Sequence, residues 1–340
     1  MGSSGNLSHP SPSVSVITTI KKGGTTAFLS SLDRQRYKKP FEVIVVEGGN
    51  RSQARNLGVS CSKAQLTLFI DADCEAPDNW LKNIAASLPN DPTVAGVGGV
   101  SSRKTDSPSL EKAIDSVYST YIGSLNSPSL ISFPKDKRYY VKAISTHNCL
   151  FRKDALTKVG GFDNRFELNE DTDLCSRLRK NGYKLILDQN IFVYHRRREA
   201  VKDFAKQFFW YGVGRMRSMF TDRRYIDKRI LALFLGTVFV SIISPLLPPL
   251  LLSTLLSYFL IIIGESIIAG KRLDTIRQFP RMLILFAIEH FSYLIGLMMG
   301  IFQGPWREKK PERMRMTRYL LSSDISVRAA FIETLEYPAI

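Results

Sequence analysis

The apolar residues in the first half of the chain form short runs, separated by segments with helical spacing. Four runs rich in Val, Ile and Leu lie at residues 14–20, 41–46, 66–70 and 94–100. Continuous apolar runs of this length predict strands of a parallel sheet that is covered on both faces. The segments between them predict helices near residues 26–36, 51–61 and 77–88. We therefore expect an α/β fold, with ligands beyond the carboxyl ends of the strands.

The last third of the chain alternates long apolar segments with basic ones. Residues 230–263 carry no charged side chain and contain three prolines near the middle of the run. Because about 20 apolar residues of helix span the hydrocarbon core of a bilayer, this run predicts two membrane helices, at 230–246 and 248–264. Residues 283–302 predict a third. We expect a multi-pass membrane region over 230–303, whose span count stays open because two and three spans place the C-terminal charges on opposite sides.

The net charge of +16, from 47 Lys and Arg against 31 Asp and Glu, is concentrated around these apolar segments. Residues 196–229 carry 11 basic and 4 acidic side chains, and residues 307–318 carry 6 basic and 2 acidic ones. Basic residues beside membrane segments are typical of cytosolic loops near anionic lipids. A basic protein can also bind nucleic acid, but the interleaving with apolar segments favours the membrane. We expect anionic membrane lipids, and no nucleic acid, as partners.

Two further segments complete the expected organisation. Residues 199–220 place apolar side chains at helical spacing between Lys and Arg, which predicts an amphipathic helix in the membrane interface; packing of that helix on the domain is the alternative. Residues 1–12 are rich in Gly, Ser and Pro and lack the apolar core of a signal peptide. We expect the following segments: a flexible N-terminal lead at 1–12, an α/β domain at 13–198, an amphipathic interfacial helix region at 199–229, the membrane region at 230–303 and a basic C-terminal tail at 304–340.

The localisation follows from the same features. No signal peptide precedes the α/β domain, so this domain is expected in the cytosol. Its four cysteines show no metal-site spacing and predict free thiols, which suits a reducing compartment. We expect a multi-pass protein of the cell membrane with its α/β domain on the cytosolic side.

The strongest candidate chemistry follows the third predicted strand. Asp71 and Asp73 come directly after the apolar run at residues 66–70. Carboxylates two positions apart at a strand end can bind one hard cation, which in turn binds a diphosphate. The D-x-D pattern alone occurs by chance in many chains, and a loop that caps the next helix is the alternative.

The order of several motifs makes the pattern more specific. They are EVIVVEGG (42–49), ARNLG (54–58), LFIDAD (68–73), HNCLFRKDALTKVGGFD (147–163), NEDTDLCSRLRKNGYKL (169–185) and YH (194–195). With these motifs, residues 13–215 resemble the family 2 glycosyltransferases of GT-A fold, in particular membrane-bound members that use polyprenyl- or dolichyl-linked glycans. The resemblance implies a GT-A catalytic domain with a Rossmann-like, mostly parallel sheet, followed by an interfacial helix and transmembrane α-helices.

The resemblance implies a donor site. Glu47 stands where the family usually has an Asp that contacts the nucleotide base, and Arg55 and Asn56 match an Ala-Arg-Asn motif at the nucleotide site. Asp71 and Asp73 match the D-x-D motif, which binds both the nucleotide-sugar and a Mn²⁺ or Mg²⁺ ion. Asp73 is expected to be the direct metal ligand.

The resemblance also implies catalytic and acceptor residues. Glu170 and Asp171 match the Glu-Asp motif that supplies the catalytic base, namely Asp171; helix capping is the alternative. His195 matches a late His that joins the metal or diphosphate site, and a structural His at a strand end is the alternative.

Basic and amide side chains are candidates for the acceptor or a phosphate. These candidates are Asn148, Arg196 and Arg198, and the alternative for the arginines is a patch that faces the membrane surface. Lys21 and Lys22, where the family has a different loop, either lie near the diphosphate or are solvated.

The function implied by the resemblance is inverting, metal-dependent glycosyl transfer in polysaccharide or glycolipid biosynthesis. The donor is a nucleotide-sugar, and the acceptor is lipid-linked, either a polyprenyl or dolichyl phosphate or a glycan on that carrier, at the cytosolic membrane face. The Q-x-x-R-W pattern of processive synthases is absent. The alternative is a catalytically degenerate membrane scaffold, which the unusual first loop and Glu47 would suit. Assembly as a homo-oligomer stays open.

Overall fold

The computed structural model describes residues 11–21, 28–124, 137–307, 310, 312–321 and 330–338. Most of the predicted N-terminal lead and Lys22 lie outside these residues. The strands are β1 (Ser15–Ile20), β2 (Phe41–Glu47), β3 (Leu66–Ile70), β4 (Cys74–Glu75), β5 (Val94–Ser102), β6 (Arg138–Tyr140), β7 (Asn148–Arg152), β8 (Lys184–His195), β9 (Met314–Leu321) and β10 (Ala330–Tyr337). The helices of the α/β part are α1 (Leu29–Leu32), α2 (Arg51–Cys61), α3 (Trp80–Ser87), α4 (Ser109–Tyr118), α5 (Lys153–Lys158) and α6 (Glu170–Lys180). The helices that follow are α7 (Val201–Thr221), α8 (Lys228–Ile243), α9 (Pro248–Arg272) and α10 (Phe279–Gln303).

All described strands join one sheet in the order β10-β9-β2-β1-β3-β7-β5-β8-β4, with β6 beside β8. The α/β fold class predicted from the apolar runs is confirmed. The sheet is more mixed than the expected mostly parallel one. β1 is parallel to β2 and β3, and β5 is parallel to β8, whereas the other described pairs are antiparallel. The antiparallel strands β4, β6, β7, β9 and β10 lie outside the four apolar runs, so the pattern of those runs could not reveal their direction.

The apolar strands are buried on both faces of the sheet, as their continuous apolar runs predict. On one face, Val16, Val43 and Leu68 pack with Trp80 and Ile84 of α3. On the other face, a second cluster joins strand residues to α2, α5 and α6; it includes Ile17, Ile44, Phe69, Ala54, Leu156 and Leu174. Helices thus cover both faces and leave the carboxyl ends of β1, β2 and β3 at one edge.

The prediction of a basic C-terminal tail at 304–340 is wrong for the described residues of that segment, because its strands β9 and β10 extend the sheet. β9 pairs antiparallel with the whole of β2. Its Arg318 is buried and forms an ion pair with buried Glu42, with Nε 3.2 Å from Oε2. The basic side chains of this segment indicated a tail outside the fold. Arg318 can nevertheless be buried in the sheet, because Glu42, far away in the sequence, balances its charge. The chain before α7 and the chain after α10 therefore belong to the same domain.

Helix α7 is the helix predicted over residues 199–220, but its apolar stripe contacts protein. Phe204, Phe208 and Met216 are buried in a cluster with side chains of α4 and α10. Placement of α7 at a membrane surface stays a prediction, and any lipid contact would use its exposed residues, such as Trp210 and Phe220.

Helices α7 and α10 approach closely at glycines. A Cβ atom on Gly296 would lie 2.0 Å from the carbonyl oxygen of Phe209, and one on Gly212 would lie 2.2 Å from that of Tyr293. Gly300, four residues after Gly296, contacts Met216 and Val213 in the same way. This small-residue spacing is typical of helices that pack backbone to backbone.

Replacing Gly296 with Ala should destabilise the protein by about 1–3 kcal/mol, because the added methyl group forces the two helices apart. Gly264→Ala in α9 is the matched control, since a Cβ there meets nothing within 4 Å. Thermal unfolding of both variants in detergent measures the effect. Equal melting temperatures for the two variants would contradict the close packing.

The two helices α8 and α9 leave the domain and return to it at one place. Arg229 near the start of α8 donates to the Tyr121 hydroxyl (3.0 Å), and Arg272 at the end of α9 donates to the carbonyl oxygen of Ser119 (2.7 Å). In the connection to α10, the hydroxyl oxygen of Thr275 lies 2.7 Å from the hydroxyl oxygen of Ser116 in α4. Both ends of this α8–α9 hairpin therefore contact the end of α4.

The α8–α9 hairpin is apolar and exposed, whereas α10 buries one face. Leu246 at the tip of the hairpin is 82% exposed, and Leu252 in α9 is 70% exposed. Among the described helices, Pro248–Arg272 and the stretch Ile276–Gln303 are long and apolar enough to cross a membrane by length and composition. The three predicted apolar segments thus form three helices.

Candidate active site

A cavity of about 1230 Å³ opens at the carboxyl edge of the sheet. Its walls come from the loops after β1, β2, β3, β5 and β8, at residues 19–21, 48–51, 71–75, 102–111 and 194–199. Arg55 of α2, Glu167 and Glu312 also line the cavity. Ligands of α/β proteins bind at this edge because the loops that follow the strands converge there.

The structure brings Asp73 and His195 together at this edge. Strand β4 pairs with β8, with Cys74 opposite His195, and this pairing places His195 Nε2 3.2 Å from Asp73 Oδ1. Burial raises the pKa of Asp73, but the hydrogen bond from His195 and the charge of that ring outweigh it, so the pKa lies below the ordinary value. Asp73 is therefore an ionised carboxylate at neutral pH.

Among the described residues, the potential ligand atoms of Asp73, Cys74 and His195 lie within 4.8 Å of one another. The carboxylate and the imidazole fit a divalent cation such as Mn²⁺. The buried Cys74 thiol does not fit, because burial raises its pKa well above the ordinary value and keeps it protonated. Asp71, expected as a second metal ligand, does not belong to this group. Its Oδ1 instead lies 3.5 Å from Arg55 Nη2.

His147 is a residue of this site that sequence reasoning missed. Its ring stacks on that of His195, with centroids 5.6 Å apart and planes 11° from parallel, and its Nδ1 lies 2.8 Å from Ser145 Oγ. Burial, with a smaller effect of His195, lowers the pKa of His147 to about 3, so the ring is neutral. The stacking fixes the plane of the His195 ring. The histidine that begins HNCLFRKD in the sequence was the available signal.

Glu170 does not lie in the cavity wall, in contrast to its prediction as a catalytic residue. It is buried and forms an ion pair with the buried Arg55 guanidinium. Arg55 in turn reaches Asp71, so a chain of charges runs from the start of α6 to the cavity. The predicted donor-site residue Arg55 lines the cavity, and Glu170 holds it in place.

Asp171 lies at the start of α6, behind the cavity wall. Its Oδ1 accepts a hydrogen bond from the Thr172 backbone N–H at 2.7 Å. Burial and, second, the neighbouring charge of Glu170 raise the pKa of Asp171 to about 6, although Arg55 opposes this rise. A carboxylate with such a pKa suits a general base. Asp171 does not line the cavity itself, whereas Glu167 in the preceding loop does.

The loop that carries these acids rests on α7. Asn169 has a left-handed backbone, with φ of 65°, and its amide donates to Ser218 Oγ at 3.2 Å. The Leu168 side chain packs against the backbone of α7 at Gly214, where a Cβ would come within 2.8 Å. Helix α7 therefore positions residues 167–171 relative to the cavity.

Two predicted contact residues are used inside the protein instead. Asn56 donates to the carbonyl oxygen of Phe162 (2.7 Å) and accepts from its N–H (2.8 Å), so it holds the loop before α6. Asn148 is fully buried; its amide accepts from Trp80 Nε1 at 2.9 Å and donates to the carbonyl oxygen of Val100 at 3.0 Å. These hydrogen bonds occupy both ends of the amides, so the structure does not support direct substrate contact by either residue.

The arginines after β8 divide into two types. Arg196 and Arg198 line the cavity with exposed side chains, where Arg198 donates to Gln207 at 3.0 Å. Arg197 is buried, pairs with Asp115 at 2.6 Å and lies over the Tyr118 ring at 5.0 Å from its centroid. Arg197 thus anchors the strand end, and its neighbours remain available to a ligand.

The remaining predicted residues lie around the ends of β1 and β2. Glu47 is the last residue of β2, and Gly48 and Gly49 after it line the cavity. Lys21 lines the same part of the cavity, after β1. Glu47 is half-buried beside this wall.

Two curated relatives resemble parts of the chain. The pre-mycofactocin glycosyltransferase of Mycobacterium tuberculosis is 29% identical over 166 residues, which cover 47% of this chain and 33% of the relative. The succinoglycan biosynthesis protein ExoA of Rhizobium meliloti is 40% identical over 78 residues, or 23% of each chain. The chain therefore spans only a third and a quarter of the lengths of these relatives.

Among solved structures, a mannosyltransferase from Pyrobaculum calidifontis in complex with GDP-Man and Mn²⁺ is similar, with 15% identity and a TM-score of 0.49; the match covers 86% of this chain and 88% of the other. TarS of S. aureus in complex with UDP-GlcNAc matches with 14% identity and a TM-score of 0.40, over 94% of this chain and 99% of the other.

The family model described as glycosyl transferase family group 2 matches residues 66–301, which is more than half of the chain. The matched residues include the Asp73–His195 pair, the Glu-Asp motif at the start of α6 and the apolar helices. The predicted fold class and the predicted glycosyltransferase family are confirmed. The chain that carries the Asp73–His195 pair at the carboxyl edge of its mixed sheet is therefore a member of glycosyl transferase family group 2.

Proposed function

We propose that this glycosyltransferase is inverting and metal-dependent, and that it transfers a sugar from a nucleotide-sugar to a lipid-linked acceptor at the cytosolic membrane face. The observation that carries the proposal is the Asp73–His195 pair, 3.2 Å apart at the edge of a cavity large enough for a nucleotide-sugar. The acceptor class is a polyprenyl or dolichyl phosphate, or a glycan on such a carrier.

Asp73 and His195 are the residues that would hold the cation. Carboxylate oxygens suit both Mg²⁺ and Mn²⁺, and an imidazole nitrogen favours Mn²⁺, because Mg²⁺ prefers oxygen ligands. A bound cation neutralises the charge that develops on the departing nucleoside diphosphate. Cationic side chains in the cavity wall, among them Lys21 and Arg198, add positive charge for the same diphosphate.

Asp171 is proposed as the base that takes the proton of an acceptor hydroxyl. Its raised pKa matches this task, and its helix follows directly after the cavity wall at Glu167. Glu167, which already lines the cavity, is the competing candidate. A phosphate acceptor is already an anion and needs no base, in which case Asp171 positions the acceptor.

The arrangement of the helices supports a membrane-inserted α8–α9 hairpin. Because both ends of this hairpin contact the end of α4, the hairpin enters and returns on the side of the catalytic domain. The α10 helix lies along α7 and ends where Arg217 donates to the carbonyl oxygen of Gly304 at 3.2 Å. We therefore propose that α10 lies at the interface, and that the exposed apolar surface of α8 and α9 contacts the lipid.

A screen for donor binding tests the proposed function. Apparent melting temperatures are measured with ADP, CDP, GDP or UDP, each with Mn²⁺ or Mg²⁺. A diphosphate at about one hundred times its Kd stabilises the native state by about 2.7 kcal/mol, which raises the melting temperature. A shift that requires both cation and diphosphate is expected. The absence of a shift with every pair would contradict the assignment.

Labelling of introduced cysteines tests the membrane arrangement. Lys271→Cys, before α10, and Arg307→Cys, after it, are both exposed positions. We expect a membrane-impermeant maleimide to label both from the side of the catalytic domain. Labelling of the two positions from opposite sides would mean that α10 crosses the membrane.

A further inference from the structure

The C-terminal segment contributes to the catalytic cavity. Strand β9 is antiparallel to β2, and Arg315 stands opposite Glu47. The beginning of β9 therefore lies at the carboxyl end of β2, where the cavity is. Just before β9, Glu312 lines the cavity together with Gly48 and Gly49.

The contact between residues 312–314 and the turn after β2 is close. Gly48 and Gly49 have φ of +89° and +70°, a conformation that favours glycine. A Cβ on Gly48 would lie 2.8 Å from the carbonyl oxygen of Arg313, and one on Gly49 would lie 2.7 Å from Sδ of Met314. The glycines leave space for the returning chain, which packs directly on this turn.

The strand that carries this segment is held firmly. Besides its ion pair with Glu42, Arg318 donates to the carbonyl oxygen of Cys61 at 2.5 Å and pairs with Glu333 of β10. Both Arg318 and Glu42 are buried. The sheet therefore fixes Glu312 at the cavity, and it fixes Arg313 and Met314 on the glycine turn that lines the cavity.

The place of this segment indicates which part of a donor it meets. The sheet order β2-β1-β3 separates the turn after β2 from the Asp71–Asp73 loop by two strand spacings, or about 10 Å. A donor whose diphosphate lies at Asp73 and His195 carries its nucleobase away from that point, beyond the ribose. The end of β2 is in reach of that base.

We propose that residues 312–314 form one wall of the nucleobase subsite, so that the chain beyond the membrane helices helps to select the donor. This inference rests on the proposed function. The Met314 thioether packs against the aromatic base, and the carbonyl oxygen of Arg313 offers an acceptor for a base N–H. Glu312 places a negative charge at the rim of the same wall.

Ligands with and without a base test this inference. In the Met314→Ala variant of the full chain, Kd of the preferred nucleoside diphosphate among ADP, CDP, GDP and UDP, with Mn²⁺, should rise about tenfold. Kd of pyrophosphate with Mn²⁺ should stay unchanged, because it has no base. Thr317→Ala on the same strand is the control, since its hydroxyl lies 3.3 Å from that of Thr334 and away from the cavity.

A measurement on the wild-type chain keeps the inference testable if Met314→Ala does not fold. Hydrogen exchange of the peptide covering residues 312–321 should slow with the nucleoside diphosphate and Mn²⁺, but not with pyrophosphate and Mn²⁺. Normal nucleotide binding without these differences would overturn this inference alone. No nucleotide binding by the wild-type chain would overturn the proposed function and this inference together.

Discussion

Replacing Asp73 with Ala should lower the rate of glycosyl transfer by about 10³-fold or more, because the cation would lose its carboxylate ligand. His195 alone offers a single imidazole nitrogen, which would hold the cation at the diphosphate more weakly. Steady-state transfer, and hydrolysis of the sugar-nucleotide in the absence of acceptor, both measure the effect at saturating donor with Mn²⁺.

The matched control for this prediction is Asp78→Ala. Asp78 lies five residues further on and forms ion pairs with Arg34 and Arg36 at 3.8 Å and 3.7 Å, all exposed. Exposed pairs of this kind contribute little to stability, so this variant should keep its transfer rate. Equal, cation-stimulated rates for Asp73→Ala and the wild-type protein would remove Asp73 from the metal site.

Replacing Asp171 with Asn should lower transfer to a hydroxyl acceptor by about 10²–10⁴-fold, the usual contribution of a general base. Binding of the nucleoside diphosphate should be unchanged, because the carboxylate lies behind the cavity wall. The active form of the base is deprotonated. Because burial and Glu170 raise the pKa of Asp171 to about 6, kcat/KM should fall as the pH is lowered through 6 and reach a plateau above pH 7.

The variants Asp171→Asn and Glu167→Gln separate the two candidate bases. The residual activity of Asp171→Asn should lose the fall in kcat/KM below pH 6, whereas Glu167→Gln should keep it. If Glu167→Gln is the variant with the larger loss and the flat pH profile, the base is the residue that already lines the cavity.

The local sequence was sufficient to identify the first strands and the place of the acidic motif. The apolar runs predicted β1, β2, β3 and β5 almost to the residue, since a strand buried on both faces has a continuous apolar pattern. The position of Asp71 and Asp73 at a strand end followed from the same pattern. The ordered motifs added the family, which the family model confirms.

The roles within the site depended on partners far along the chain. Glu170 and Asp171 are neighbours in sequence, yet one is buried against Arg55 and the other carries the raised pKa. Asn148 lies within one of the motifs of the resemblance, but its amide is used by Trp80 and Val100. No local pattern distinguishes an amide at a substrate from one that satisfies buried backbone.

The C-terminal region shows most clearly how far the sequence allows the structure to be predicted. Burial leaves a periodic pattern in the chain, so the fold class, the apolar helices and the pair of aspartates at a strand end could be predicted from the sequence. The folded structure alone shows that β9 joins β2, that α10 packs on α7 through Gly296, and that His147 stacks on His195. These pairings follow from hydrogen bonds, ion pairs and close contacts between distant segments, whose energies have no periodicity in the sequence.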